Sequence, residues 1–303
     1  MYHLYISNFK RFVLLNFLII VFIGLIIDFL FYNLIILKTD SLPAYKYYKM
    51  LNEYNEHEIP ILGSSRALGS YVPSLINQDA FNYGMDGSGF SSILFMLDEE
   101  LKKDKKSNII INLDFNNMNL DKESAYKIIP IYNEAKELIP SKNFLYTIPF
   151  VRFFGNYMYY VRFHLRTKVD ITKIHDKGGL FEIQKKSKVQ FLKDVAKRKQ
   201  DSISFNINKN SINLLTNLIL KTEREIWFIV APYHTSFLSM LSNNTKKEIE
   251  LFVQLLERFD NVKILDYSTL FNKNEDYFFD TTHITYEGAK VFSKIIKNRL
   301  KGS

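Results

Sequence analysis

The chain has no cysteine. That absence excludes a disulfide scaffold, a thiolate metal site and a cysteine nucleophile. It leaves the compartment open, because a chain without thiols suits either redox environment. The six histidines are scattered, with none at the spacing of a zinc-binding helix, so no metal is expected. A phosphate loop and the glycine fingerprint of a dinucleotide site are also missing, and no cofactor is expected. There is no internal repeat. Acidic residues are in deficit, 32 Asp and Glu against 40 Lys and Arg, for a net charge of +8. A charge of that sign suits anionic surfaces such as acidic glycans, phospholipid headgroups or nucleic acid. No nucleic-acid-binding motif accompanies it, so no nucleic-acid partner is expected. With 303 residues, 47% of them hydrophobic and 24% charged, the chain can bury a core.

The first strong feature is apolar. Residues Phe12–Leu37 form a run of 26 broken only by Asn16, Gly24, Asp28 and Asn33. A spanning helix needs about 20 such residues. No small-residue cleavage site follows, so the run reads as an uncleaved anchor behind a cytoplasmic tail at 1–11. Lys10 and Arg11 precede it and Lys38, Lys46 and Lys49 follow it, so loop charge does not decide its orientation. Asp28 lies about 14 Å below the exit at Leu37. A carboxylate at that depth is costly. Two readings stand for it: a contact with a partner membrane protein, or a place near the outer interface on a tilted helix.

Residues 38–56 read as a polar, Tyr-rich connector. From residue 57 onward, short apolar runs alternate with helical periodicity. Runs at 59–62, 81–83, 108–113, 226–230 and 262–265 read as strands. Segments 88–102, 211–221, 246–259 and 286–300 read as helices. This alternation predicts an α/β protein, a three-layer α/β/α sandwich around a parallel sheet whose ligands bind at the carboxyl ends of the strands. Residues 119–210 break the rhythm and read as a mostly helical insertion. Its aromatic and basic stretch, Phe144–Arg166, suits a lid, a glycan platform or a patch lying on the membrane, or else aromatics packed beneath the insertion itself.

The candidate chemistry sits at strand ends. Ser65 follows the first strand in Gly63-Ser64-Ser65-Arg66, where the glycine permits a sharp turn. Ser64 is the rival nucleophile. Asp280 and His283 stand three residues apart just before the last helix. A histidine there can take a serine proton while the aspartate holds its tautomer and orientation. Oxyanion donors are the third requirement, each worth roughly 3–4 kcal/mol in the transition state. Gly84 N–H, the Asn116 amide and Ser65 N–H are the candidates. Arg66 has two readings, as a partner for an acidic group and as a substrate contact, and His234 reads as lining or rimming the cleft.

The order Ser65, Gly84, Asn116, Asp280 and His283 resembles the SGNH/GDSL hydrolase superfamily. Gly63-Ser64-Ser65 matches its nucleophile block, Asp114-Phe115-Asn116-Asn117 its asparagine block, and Asp280-Thr281-Thr282-His283 its last block. Two positions depart: Ser64 stands where the family has Asp, and Asp114 where it has Gly. The first departure resembles the membrane-anchored, Gly-Ser-Ser-Arg-type branch of bacterial envelope proteins. The second leaves Asn112 and Asn117 open as alternatives to Asn116. The resemblance covers about 57–118 and 225–300.

It implies a single-pass protein of the bacterial cytoplasmic membrane with its catalytic domain outside. It also implies Ser65–His283–Asp280 acyl-ester chemistry on an envelope glycan, as esterase or O-acetyltransferase, with an acyl donor or acetylated glycan as substrate. The competing expectation is a non-catalytic assembly subunit for a membrane acyltransferase that modifies polysaccharide, and a third is a lipase acting on phospholipid, which needs the aromatic segment 144–166 to bind membrane.

Overall fold

A computed structural model describes residues 2–115, 123–139, 142–149, 151–200, 203, 205 and 207–302. Seven strands are present among the described residues: β1 Ile59–Leu62, β2 Ala80–Asn82, β3 Ile109–Asn112, β4 Lys173–Asp176, β5 Gly179–Glu182, β6 Ile226–Val230 and β7 Val262–Asp266. Five form a parallel sheet in the order β2-β1-β3-β6-β7. The chain passes from β1 to one side for β2 and to the other for β3, so the order in which strands are added reverses between β1 and β3. A crevice opens outside the carboxyl ends of the strands at such a point.

Alternation along the buried strands divides the core in two. Leu62, Ile109, Ile111 and Phe228 face one layer, where they pack with Tyr47, Phe90, Leu94 and Phe252 from surrounding helices. Ile61, Ile110, Trp227 and Ile229 face the other, with Tyr71, Ala289, Phe292 and Ile296. The fold is therefore α/β with helical layers on both faces of the sheet. The predicted periodic segments appear as helices Phe90–Leu101, Lys209–Leu220, Asn243–Leu256 and Tyr286–Lys301. Residues Pro43–Asn52 in the connector are also helical.

The segment 119–210 holds the helices Tyr157–Val169 and Lys188–Gln200, and also a β-hairpin, β4–β5, that a mostly helical reading did not include. The hairpin turns on Lys177 and Gly178, both at positive φ (42° and 84°). Two such residues give the turn whose twist matches paired antiparallel strands. Its tip abuts the edge strand: Asn82 N–H donates to the Lys177 carbonyl at 2.9 Å, and a Cβ on Gly178 would meet the Asn82 carbonyl oxygen at 2.3 Å.

The N-terminal helix runs from Tyr2 to Phe31 and continues as one wider turn, Tyr32–Ile36. Among the described residues, Phe9–Ile36 is the one helical stretch long and apolar enough to cross a membrane, with mean hydropathy 2.8 over its most apolar window. Its far end is tied to the insertion. Arg152 donates Nε–H and Nη2–H to the two Asp28 carboxylate oxygens, at 2.9 and 2.7 Å. Phe31 packs edge-on against Tyr157 with centroids 4.8 Å apart, and also meets Phe153 and Tyr160. Phe153 and Tyr160 are buried there together with Ile36 and Leu42. Asp28 thus finds its counter-charge within the chain.

A bidentate pair is lost whole when either partner goes, and the survivor stays where water is scarce. We expect Arg152→Ala to lower the stability of the full chain in detergent by about 1–3 kcal/mol. The double variant Asp28→Asn/Arg152→Ala should recover part of that loss, as thermal melts by circular dichroism would register.

Candidate active site

The loop after β1 is the first component. Gly63 has no room for a side chain, because a Cβ would lie 2.6 Å from Ala67 Cβ and 3.0 Å from Asn112 Cβ. Ser64 caps the helix Ser65–Ser70 by accepting from Arg66 N–H at 3.3 Å. The Ser64 hydroxyl donates to Asp114, and the residue is buried. Its oxygen is committed on both sides, so it faces no cleft. Ser65, the first residue of that helix, turns the other way. Its Oγ lies 2.9 Å from His283 Nε2.

The second component is the loop before the last helix. An isolated bridge between Phe278 and Ile284 closes residues 279–283 into a tight turn. Asp280 Oδ1 accepts from the backbone N–H groups of Thr282 and His283 at 2.8 and 2.9 Å. The same carboxylate meets His283 Nδ1 at 3.0 and 3.1 Å. Burial pushes the Asp280 carboxyl up, but the His283 ring, the Thr282 N–H and the Lys186 ammonium outweigh it, and Asp280 is held well below the usual carboxylate range. The carboxylate therefore stays ionised, which fixes the proton of the imidazole on Nδ1 and leaves Nε2 as the acceptor facing Ser65.

Arg66 joins these loops from beneath. It is 1% exposed. Nη1–H donates to Asp114 Oδ1 at 3.0 Å, Nε–H to the Thr282 carbonyl at 3.0 Å, and Nη2–H to the carbonyls of Ala231 and Pro232 at 2.5 and 2.9 Å. Its guanidinium lies 3.3 Å from the centre of the Tyr233 ring. Asp114 also accepts from the Asn112 amide at 2.7 Å, and Tyr71 in turn donates to Asn112. The substrate-contact reading of Arg66 is therefore corrected: the side chain is buried beneath the pocket, and four of its five N–H groups are bound inside the protein. Asn112 is removed as an oxyanion donor for the same reason. Asn116 and Asn117 lie outside the described residues.

Two further expectations change. Gly84 N–H does not face a cleft; it donates to Asn82 Oδ1 at 2.8 Å. Gly84 is small because a Cβ there would meet Leu68 N at 2.4 Å and the Ala67 carbonyl carbon at 2.8 Å. Its carbonyl accepts from the buried Lys46 ammonium at 2.5 Å, and that burial brings the Lys46 pKa down to about 7. His234 caps the short helix Thr235–Leu238 through Nδ1, which accepts from Ser236 N–H at 3.1 Å. It is buried edge-on to Phe191 and Phe278 and does not line the pocket, and burial lowers its pKa.

Ser65 and His283 open into a pocket of about 420 Å³. One wall comes from the helices and turns of the core, including Leu68, Met85 and Asp86. The opposite wall comes from the 119–210 segment: Tyr126, Tyr159, Phe163 and Arg166, with Lys173 and Glu182 of the hairpin. Lys173 and Glu182 pair at 2.8 Å. Lys186 of the same segment lies 3.1 Å from Asp280 Oδ2. Sequence reasoning missed all of these wall residues. The one signal for them was the aromatic and basic composition of Phe144–Arg166.

Sheet and side chains together define a parallel α/β protein carrying a serine, a histidine and an aspartate in hydrogen-bonded series at the carboxyl end of the sheet. No family model and no curated protein sequence matches the chain. Among solved structures, one described as a proposed platelet activating factor from Streptococcus pneumonia is similar at a TM-score of 0.45 and 12% identity, covering 88% of this chain and 95% of that one.

The Arg66–Asp114 pair and the packing at Gly84 make separable predictions. Asp114→Asn leaves a buried guanidinium without its counter-charge, and we expect a loss of about 3–5 kcal/mol in denaturant unfolding. Gly84→Ala forces a methyl group into backbone and should cost on the order of 1–3 kcal/mol. A Gly84→Ala variant as stable as the wild type would overturn the packing account.

Proposed function

We propose that this chain is a membrane-anchored serine acyl-ester enzyme, an esterase or O-acyltransferase acting on a glycan of the bacterial cell envelope. The observation that carries the reading is the series Ser65 Oγ–His283 Nε2–His283 Nδ1–Asp280, with contacts of 2.9 and 3.0 Å, opening into a pocket. Nucleophile, base and orienting acid within hydrogen-bond reach are the signature of nucleophilic acyl transfer.

In this reading Ser65 Oγ attacks the ester carbonyl carbon, and its proton passes to His283 Nε2. The imidazolium formed is stabilised by Asp280. Collapse of the tetrahedral intermediate breaks the ester bond, and the leaving alkoxide takes the proton from Nε2. An acyl group now rests on Ser65. Water or a sugar hydroxyl attacks it next, giving its proton to Nε2, and the second collapse returns Ser65 to its hydroxyl form. The two outcomes differ only in the second nucleophile. Acetyl is the acyl group favoured by the resemblance to the SGNH/GDSL superfamily.

For the oxyanion, Ser65 N–H remains a donor in this proposal, since it donates to no group among the described residues. Gly87 N–H also donates to none of them, and it follows Asp86 in the pocket wall. It takes over the part expected of Gly84. The turn that carries it is held by the buried Lys127, whose ammonium donates to the Asp86 carbonyl at 2.7 Å and to Ser88 Oγ at 3.1 Å. Asn116 keeps its expected part in the proposal. Lys173 is neutralised by Glu182, so on that wall Arg166 is the cation left to meet an acidic glycan.

The competing reading, a non-catalytic subunit assembling with a membrane acyltransferase, rests on Asp28 in the apolar run and on Asp114 where the resembled family has Gly. The ion pair with Arg152 gives Asp28 a partner within the chain and withdraws the first of these two supports.

The test uses the full chain in detergent, a fluorophosphonate probe and intact mass. Wild type and Ser64→Ala should each take one adduct, and Ser65→Ala none. Hydrolysis of a small acetyl ester should fall on the order of 10⁴-fold or more in Ser65→Ala and His283→Ala, with the melting transition retained. An adduct on folded Ser65→Ala would overturn the assignment of the nucleophile. A folded wild type that takes no adduct would favour the binding subunit.

A further inference from the structure

Helix Tyr157–Val169 presents three different faces. Tyr160 and His164 point inward: Tyr160 packs on Phe31, and His164 Nδ1 meets Thr39 Oγ1 at 2.6 Å. Tyr159, Phe163 and Arg166 line the pocket. Met158, Leu165 and Val169 lie at spacings of seven and four, a single stripe, and are 58, 53 and 73% exposed. Phe154, just before the helix, is 78% exposed. Arg162 stands in line with the stripe, between Met158 and Leu165, and Arg166 and Lys168 flank it on either side; all three are exposed. Apolar residues bordered by cations on one helical face are the pattern of a helix lying in a membrane interface.

The anchor says which surface covers that face. About 20 helical residues cross the hydrocarbon core. Counted from Phe9, that length ends at Asp28; counted from Phe12, it ends at Phe31. Those are the two residues that Arg152 and Phe153 grip. Phe154 is the next residue along, and the exposed stripe continues from it. The apolar face is thus continuous with the end of the span, at the depth where headgroups begin. Arg162, exposed on the same helical face, suits an anionic headgroup layer.

We infer that Phe154 and the Met158–Leu165–Val169 stripe lie in the headgroup region of the bilayer that the N-terminal helix crosses, so that the pocket holding Ser65 opens beside a lipid surface. The inference rests on the N-terminal helix being a membrane span, and not on the esterase reading. The helix that docks on lipid is the helix that walls the pocket, so a substrate reaches Ser65 along the membrane surface.

The absence of cysteine makes the test direct. Phe154→Cys, Met158→Cys and Leu165→Cys are each labelled with an environment-sensitive fluorophore in the full chain, reconstituted into nanodiscs of phosphatidylcholine with phosphatidylglycerol. Leu251→Cys, 56% exposed on helix Asn243–Leu256, is the control. Nitroxide-bearing phosphatidylcholine should quench the three probes several-fold more than the control. Quenching no greater than at Leu251 would overturn the docking. If those probes were also shielded from aqueous iodide, the face would belong to a protein partner or a second copy instead. A chain that fails to enter nanodiscs would overturn the span, and the inference with it, while leaving fluorophosphonate labelling of Ser65 as a separate result.

Discussion

One buried guanidinium holds the candidate site together. Arg66 reaches the ends of three strands and the histidine loop: Asp114 after β3, the carbonyls of Ala231 and Pro232 after β6, and the Thr282 carbonyl beside His283, while itself following β1. A planar group with donors fanned in one plane suits this task, and a lysine ammonium could not reproduce it. Taking the charge out of water is costly, and Asp114 with three carbonyl oxygens offsets that cost only when all are in place. The distance from Ser65 to His283 is therefore set one residue away from the serine, by a side chain that never meets the pocket. The two positions at which the sequence departs from the pattern it resembles are partners in the structure. Ser64 and Asp114 are hydrogen-bonded partners, and together they fill the space around Arg66.

The 119–210 segment does more than interrupt the sheet. It grips the end of the N-terminal helix through Arg152 and Phe153, and it supplies the outer wall of the pocket through Tyr159, Phe163 and Arg166. Its hairpin is keyed to the sheet edge by a glycine that tolerates contact with the Asn82 carbonyl. N-terminal helix, wall and sheet are thus joined by packing and ion pairing within one chain. The orientation of the pocket relative to that helix follows from that joining and not from a flexible connector.

The local features were legible because local physics dictates them. β-branched runs such as Asn108–Leu113 make strands, and apolar spacing such as Phe90, Ile93, Leu94 and Leu97 makes a helix with one buried face. Asp280 and His283 are three residues apart, so one turn suffices to aim both, and the structure forms that turn. The insertion resisted because its aromatics and cations satisfy several patterns at once. Composition does not tell which of its faces meets Phe31, which meets the pocket and which meets neither. The β4–β5 hairpin was hidden by weak alternation, and by a turn whose Lys-Gly pair gives little signal.

The sequence by itself determined the alternation of strands and helices, the apolar N-terminal run and the short motifs that carry chemistry, since each depends on neighbours within a few residues. Tertiary structure alone decided which serine faces outward. Ser64 is claimed by Asp114, 50 positions away, and Ser65 meets His283 across 218. It likewise decided that Gly84 is a packing glycine, that Arg66 and His234 turn inward, and that Asp28 pairs with Arg152 across 124 positions. These are contests between a group's possible partners. The winner is whichever partner the packed core brings within hydrogen-bond reach, and periodicity in the chain carries no record of that distance.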